Sequence, residues 1–114
     1  DGKIIFIEEI NEPPYKIDRM LTSLMLAGVF SHAQGILLGS FKDCRGICLP
    51  DNPSCTAAPD TNASSLLNTF KEVLSPLGIP MLAGLACGHS YPQLTLPLGC
   101  KIIMNTDRKT IEII

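Results

Sequence analysis

The stretch that decides the fold runs from Lys3 to Gly28, KIIFIEEINEPPYKIDRMLTSLMLAG. Its opening, Lys3 to Ile7, is a β-branched and aromatic run that reads as a buried strand and stops where two carboxylates, Glu8 and Glu9, appear. Asn11 to Pro14 reads as a turn. From Ile17 the apolar period changes. Ile17, Met20, Leu21, Leu24 and Met25 recur at helical spacing, Asp18 and Arg19 take the other face, and Gly28 is a C-terminal stop. A second strand bounded by glycines follows in GILLGSF, Gly35 to Phe41. Strand, helix and strand in this order have the spacing of a crossover unit, which puts the chain in the α/β class.

Beyond this unit, Lys42 to Ala63 holds no hydrophobic period but carries Pro50, Pro53, Pro59 and three cysteines, and it reads as a long loop. Ser64 or Asp60 is placed to cap a second helix carrying Leu66, Leu67, Phe70, Val73 and Leu74, which ends before SPLGIP. Met81 to Leu85 reads as a third strand. The last third reads as β: Gln93 to Leu96, Cys100 to Asn105 and Thr110 to Ile114, the last two joined by the turn TDRK.

Composition narrows the function. A chain of 114 residues, 46% apolar and 18% charged, can bury one core, so residues 1–114 are expected to form a single domain and not a disordered chain. A net charge of −2 without a basic cluster, and only two Tyr, four Phe and no Trp, argue against a nucleic-acid partner. The apolar runs are short and broken by Gly, Pro or charge, so no membrane span or signal peptide is expected and the chain reads as soluble. It opens on Asp1, not Met, as expected of a piece of something longer or of a processed product.

The five cysteines, at 44, 48, 55, 87 and 100, match neither a paired zinc knuckle nor a CxxC motif, and they read as free thiols in a reducing compartment. Cys87 and Cys100 are expected to pack as small hydrophobes. Cys44, Cys48 and Cys55 share the loop, where a disulfide or a metal site is the alternative to free thiols; the loop contains no histidine. Asn62, in the sequon-like NAS, reads as a helix start.

The chemistry concentrates in LACGHSYPQLTLPLG, Leu85 to Gly99, and at the first strand's end. A carboxylate at the C-terminal end of a buried strand sits where open α/β sheets place their ligands. Gly88 permits a tight turn that presents His89 from a loop after another strand. Glu and His together are two-thirds of a nucleophile–histidine–acid triad. On spacing alone the alternatives stay open: His89 as a hydrogen-bonded loop histidine, Glu8 or Glu9 as a solvated strand end, and His32 as a helix-terminal residue.

IIFIEEINEPPYKIDRMLTSLMLAGVF resembles the start of the C-terminal domain of LD-carboxypeptidases, serine peptidases that include the microcin-immunity enzymes. ILLGSFKDC, PLGIPMLAGLACGH and LTLPLG continue the likeness in the same order over nearly the whole chain. The resemblance implies a swivelling β/β/α, barrel-like domain with flanking helices and a mixed sheet, forming the C-terminal half of a two-domain enzyme. It implies a Ser-His-Glu triad in which Glu8 is the acid and His89 the base. Glu9 stands where the family usually has Asp, and Glu12 matches a recurring second acid with a structural or supporting role. The Cys44 to Ala63 loop departs from the pattern by its length.

The nucleophilic serine of that family lies in a G-x-S-D turn of an N-terminal α/β domain, beside the oxyanion-hole amides. None of Ser23, Ser31, Ser40, Ser54, Ser64, Ser65, Ser75 and Ser90 has this context, and Ser90 is too near His89 in sequence to meet it. The implied function is the acid-and-base half of a carboxypeptidase that hydrolyses the L,D-amide bond to a terminal D-amino acid in murein tetrapeptides. The setting would be cell-wall recycling in the cytoplasm, with a microcin-like substrate as a further possibility. The implied partners are the N-terminal nucleophile domain and a second copy in a homodimer, with no metal or organic cofactor. The alternative is a non-catalytic binding or interaction module that keeps the fold without the nucleophile. If Glu8 and His89 form one dyad, they must lie together in space, carboxylate toward Nδ1 and Nε2 toward an open cleft.

Overall fold

The computed structural model describes residues 2–44 and 63–114, apart from the side chains of residues 63–65. The elements in chain order are strand β1 (Lys3–Ile10), helix α1 (Pro14–Leu26), strand β2 (Ala33–Lys42), helix α2 (Ala63–Leu74), a 3₁₀ turn (Ser75–Leu77), and strands β3 (Met81–Ala83), β4 (Ile102–Asn105) and β5 (Thr110–Ile113). The first three strands form a parallel sheet in the order β1-β2-β3, and β4 and β5 form an antiparallel hairpin. The α/β class therefore holds. The expected mixed sheet is corrected: among the described residues parallel and antiparallel pairings are segregated. A parallel pair needs a crossover to join it, here one helix each, whereas β4 and β5 need only the turn Thr106–Lys109.

β2 is the central strand, and Gly35 to Gly39 are buried on both faces. On one face, Ile36 and Leu38 pack with Ile5, Ile7 and Met81 against Ile17 and Leu21 of α1 and Leu66, Phe70 and Leu74 of α2. Both helices thus cover the same side of the sheet, and Phe41 meets Phe70 edge to face at 4.9 Å between ring centroids. The other face carries Ile4, Phe6 and Leu37, which line a groove with Ile102 and Ile114. Met104 of the hairpin lies so close over Gly35 that a Cβ there would come within 2.6 Å of its methyl. Hairpin, parallel sheet and helices are stacked in that order.

α1 begins at Pro14, three residues before the first buried apolar position, because proline's fixed φ suits the first helical turn and its missing N–H costs nothing there. It ends in a Schellman arrangement: Gly28 at φ 74°, its N–H on the Met25 carbonyl and the Val29 N–H on that of Leu24, both at 3.0 Å. Met20 and Met25, assigned to the apolar stripe by spacing, are exposed; Ile17 and Leu21 are the buried rows.

Further boundaries differ from expectation. β1 does not stop at the carboxylates but runs to Ile10, because the ladder to β2 resumes with Glu9 opposite Phe41 and Ile10 opposite Lys42. β3 ends at Ala83, where Gly84 takes φ 87°. Gln93 to Leu96 is no strand: Pro92 and Pro97 bracket it, each without the N–H a ladder needs. Leu67 is exposed. Cys44 is buried in the main core, because Asp43 at φ 55° turns the chain inward after β2. Ser64 lies within α2. Cys48, Cys55, the Asp60 cap and Asn62 fall outside the described residues. No described helix is long and apolar enough to cross a membrane.

Leu66, with no exposed surface, and Leu67, 51% exposed, are adjacent and chemically identical. Leu66→Ala is expected to destabilise the chain by about 3 kcal/mol through lost burial and a residual cavity. Leu67→Ala is expected to change stability by less than about 0.5 kcal/mol. Denaturant melts of the two variants check this, and equal effects would contradict the packing described.

Candidate active site

Side chains alternate along a strand, so Glu8 shares the sheet face of Ile4 and Phe6, opposite the helices. It also sits at an irregularity. Ile7 pairs with Leu38 but Glu9 with Phe41, so two residues of β2, Gly39 and Ser40, stand against Glu8.

The segment after β3 docks on this spot. Gly84 and Leu85 both direct their N–H groups to the Leu38 carbonyl, at 3.1 and 3.3 Å, and the Ser40 N–H donates to the Cys87 carbonyl at 2.9 Å. Such close approach needs Gly39, since a Cβ there would lie 2.7 Å from both the Cys87 oxygen and the Phe6 ring. Cys87 is buried, as its apolar surroundings predict. Gly88 then turns the chain at φ 105° and presents His89.

His89 Nδ1 lies 2.9 Å from Glu8 Oε2. The His89 side chain is 52% exposed and that of Glu8 27%, so the pair shares one accessible face. An ionised carboxylate only accepts hydrogen bonds, so the contact fits a ring whose Nδ1 carries a proton and donates it to Glu8. In the neutral ring of that tautomer Nε2, on the far side, holds a lone pair. That tautomer is what a general base requires.

The remaining candidates are not brought to this pair. Glu9 Oε1 accepts the N–H of Ile10 at 2.8 Å. Glu12, just before α1, places Oε2 3.0 Å from Nζ of Lys16 in the helix's first turn, an ion pair that raises the Lys16 pKa through its hydrogen bond and charge. His32 lies in the turn before β2, where its carbonyl accepts the Gly2 N–H. The hydroxyls of Ser40, which stands against Glu8 in the sheet, and of Ser90, which follows His89 in sequence, are shielded from solvent and make no hydrogen bond to His89. Among the described residues no cluster of His, Cys, Asp or Glu could hold a metal ion.

Reading the sequence missed Gly39 and the Ser40 N–H, which anchor the His89 loop. The signal was a glycine inside the strand run ILLGSF, which marks close backbone approach. Cys100, expected to pack as a small hydrophobe, is instead exposed, its Sγ donating to the Pro97 carbonyl at 3.1 Å. Burial pushes the Cys44 thiol above its ordinary range. Native alkylation followed by peptide mapping is therefore expected to label Cys100 at once and Cys44 and Cys87 only on unfolding. Early labelling of Cys44 would contradict its place in the core.

Residues 1–104 match the sequence profile of the LD-carboxypeptidase C-terminal domain family. A probable murein peptide carboxypeptidase of Bacillus subtilis is 36% identical over 112 residues, covering 98% of this chain and 32% of its own length. The microcin C7 self-immunity protein of Escherichia coli is 33% identical over 115 residues, covering 99% of this chain and 29% of its own length. The crystal structure of muramoyltetrapeptide carboxypeptidase from Oxalobacter formigenes superposes with a TM-score of 0.70 at 28% identity, over 99% of this chain and 36% of that one. The chain thus spans about a third of the length of the relatives it matches.

Proposed function

Because this chain belongs to the LD-carboxypeptidase C-terminal domain family, we propose that it supplies the base, His89, and its orienting acid, Glu8, to a serine peptidase whose nucleophile lies in a preceding N-terminal domain. The observation that carries this reading is the 2.9 Å contact between Glu8 Oε2 and His89 Nδ1 on an accessible face.

The chemistry follows from the tautomer. The His89 Nε2 lone pair takes the proton of the serine hydroxyl as its oxygen attacks the carbonyl carbon of the scissile amide. Glu8 stabilises the imidazolium so formed and keeps the ring oriented. His89 then returns the proton to the departing amine, a terminal D-amino acid, leaving an acyl-serine. Water hydrolyses that ester with His89 again as base. The oxyanion donors belong to the N-terminal domain with the serine, so this chain provides proton transfer but not charge stabilisation. Hairpin, parallel sheet and helices in layers support reading the domain as a swivelling β/β/α unit that closes against its partner.

The substrate class is a murein tetrapeptide, a reading supported by the names of two relatives. The test is incubation of the full-length protein with an L,D-linked muramoyl tetrapeptide. Release of terminal D-alanine is expected. Tight binding without release would sink the enzymatic reading in favour of a binding module.

A further inference from the structure

Gly88 has no side chain at the point where one would strike the dyad. A Cβ built there would lie 2.5 Å from Glu8 Oε2 and 3.0 Å from Cδ and Cγ. These atoms belong to a flexible side chain and not to the backbone, so what gives way is the Glu8 carboxylate. Gly39 is the opposite case, since its Cβ would meet the Cys87 carbonyl and the Phe6 ring, which hold the loop itself.

We propose that Gly88 is a positioning residue: its bare Cα is a notch that seats the Glu8 carboxylate against His89 Nδ1. The left-handed φ of 105° supplies the turn, and the missing Cβ supplies the room; these are separate requirements met by one residue. Gly84 separates them. It also has positive φ, 87°, in the same segment, but a Cβ there meets nothing within 4 Å. The inference rests on reading Glu8 and His89 as a working pair, and it adds the element that sets their distance.

The test compares Gly88→Ala with Gly84→Ala in the full-length protein. The first readout is the ¹⁵N signature of the His89 ring at a pH where it is neutral, assigned by its loss in His89→Gln. The Nδ1–H tautomer should dominate in the wild type and in Gly84→Ala, and should fall in Gly88→Ala to the level of Glu8→Ala. The second readout is turnover: Gly88→Ala is expected to lower kcat by about 10²-fold or more with KM changed by less than about threefold, and Gly84→Ala to change neither by more than about threefold. Glu8→Ala added to Gly88→Ala should cost little further, because the two act on one contact. If Gly88→Ala fails to fold, adding Glu8→Ala removes the group the methyl strikes and should recover the fold to the level of Gly84→Ala. No recovery would overturn the proposal, as would a Gly88→Ala protein that keeps the Nδ1–H tautomer. The ring signature needs no substrate, so a lost tautomer with unchanged turnover would sustain the notch and refute the catalytic reading.

Discussion

His89→Ala in the full-length protein is expected to lower kcat by at least about 10⁴-fold, with the fold intact, because it removes the group proposed to accept the serine proton and return it to the leaving amine. The side chain is half exposed and outside the main core, so its loss leaves no sizeable cavity. Glu8→Gln should follow at about 10³- to 10⁴-fold. The isosteric amide preserves packing, but it no longer stabilises the imidazolium and its NH₂ favours the wrong tautomer. The double variant should be scarcely slower than His89→Ala, since both residues act through one proton transfer. Glu9→Gln, which perturbs only a contact to the adjacent Ile10 N–H, should stay within about threefold of wild type. Steady-state release of terminal D-alanine measures all four, and a Glu8→Gln enzyme at the wild-type rate would refute the assignment.

The 114-residue chain by itself is expected to release no D-alanine above the uncatalysed background. The proposed base has no nucleophile beside it among the described residues, where the Ser40 and Ser90 hydroxyls are shielded and make no bond to His89. On the proposed division of the triad, the oxyanion donors that supply the largest share of such catalysis come with the serine from the other domain. Turnover should return when the nucleophile domain is supplied, whether covalently or in trans. Serine-peptidase turnover by the purified chain would overturn the division of the triad argued here.

What could be read from the sequence was what depends on local pattern. The period change between Ile7 and Ile17 announced the first crossover, and the glycines around Gly35 to Phe41 announced its return strand. The pairing of Glu8 with His89 was reachable through the resemblance, since spacing alone left both residues with unremarkable readings. What stayed hidden depends on long-range packing. Cys44 reads as a loop thiol because its neighbours are polar, yet the turn at Asp43 carries it into the core. Met20 and Met25 keep helical spacing but are exposed, because it is the face of Ile17, Leu21 and Leu24 that packs into the core. The extra residue of β2 opposite Glu8 is marked only by the glycine inside its strand, and the direction of the loop that brings His89 to it has no local signature.

The central claim is that the Glu8–His89 pair serves a serine from outside this chain, and the distance from His89 Nε2 to the nearest serine Oγ in a crystal structure of the full-length protein tests it most directly. With a tetrahedral-intermediate analogue bound, that distance is predicted to be about 3 Å, the serine coming from a G-x-S-D turn of the N-terminal domain, while Nδ1 remains on Glu8. A His89 Nε2 that faces bulk solvent in that complex, with no serine hydroxyl within reach, would contradict it.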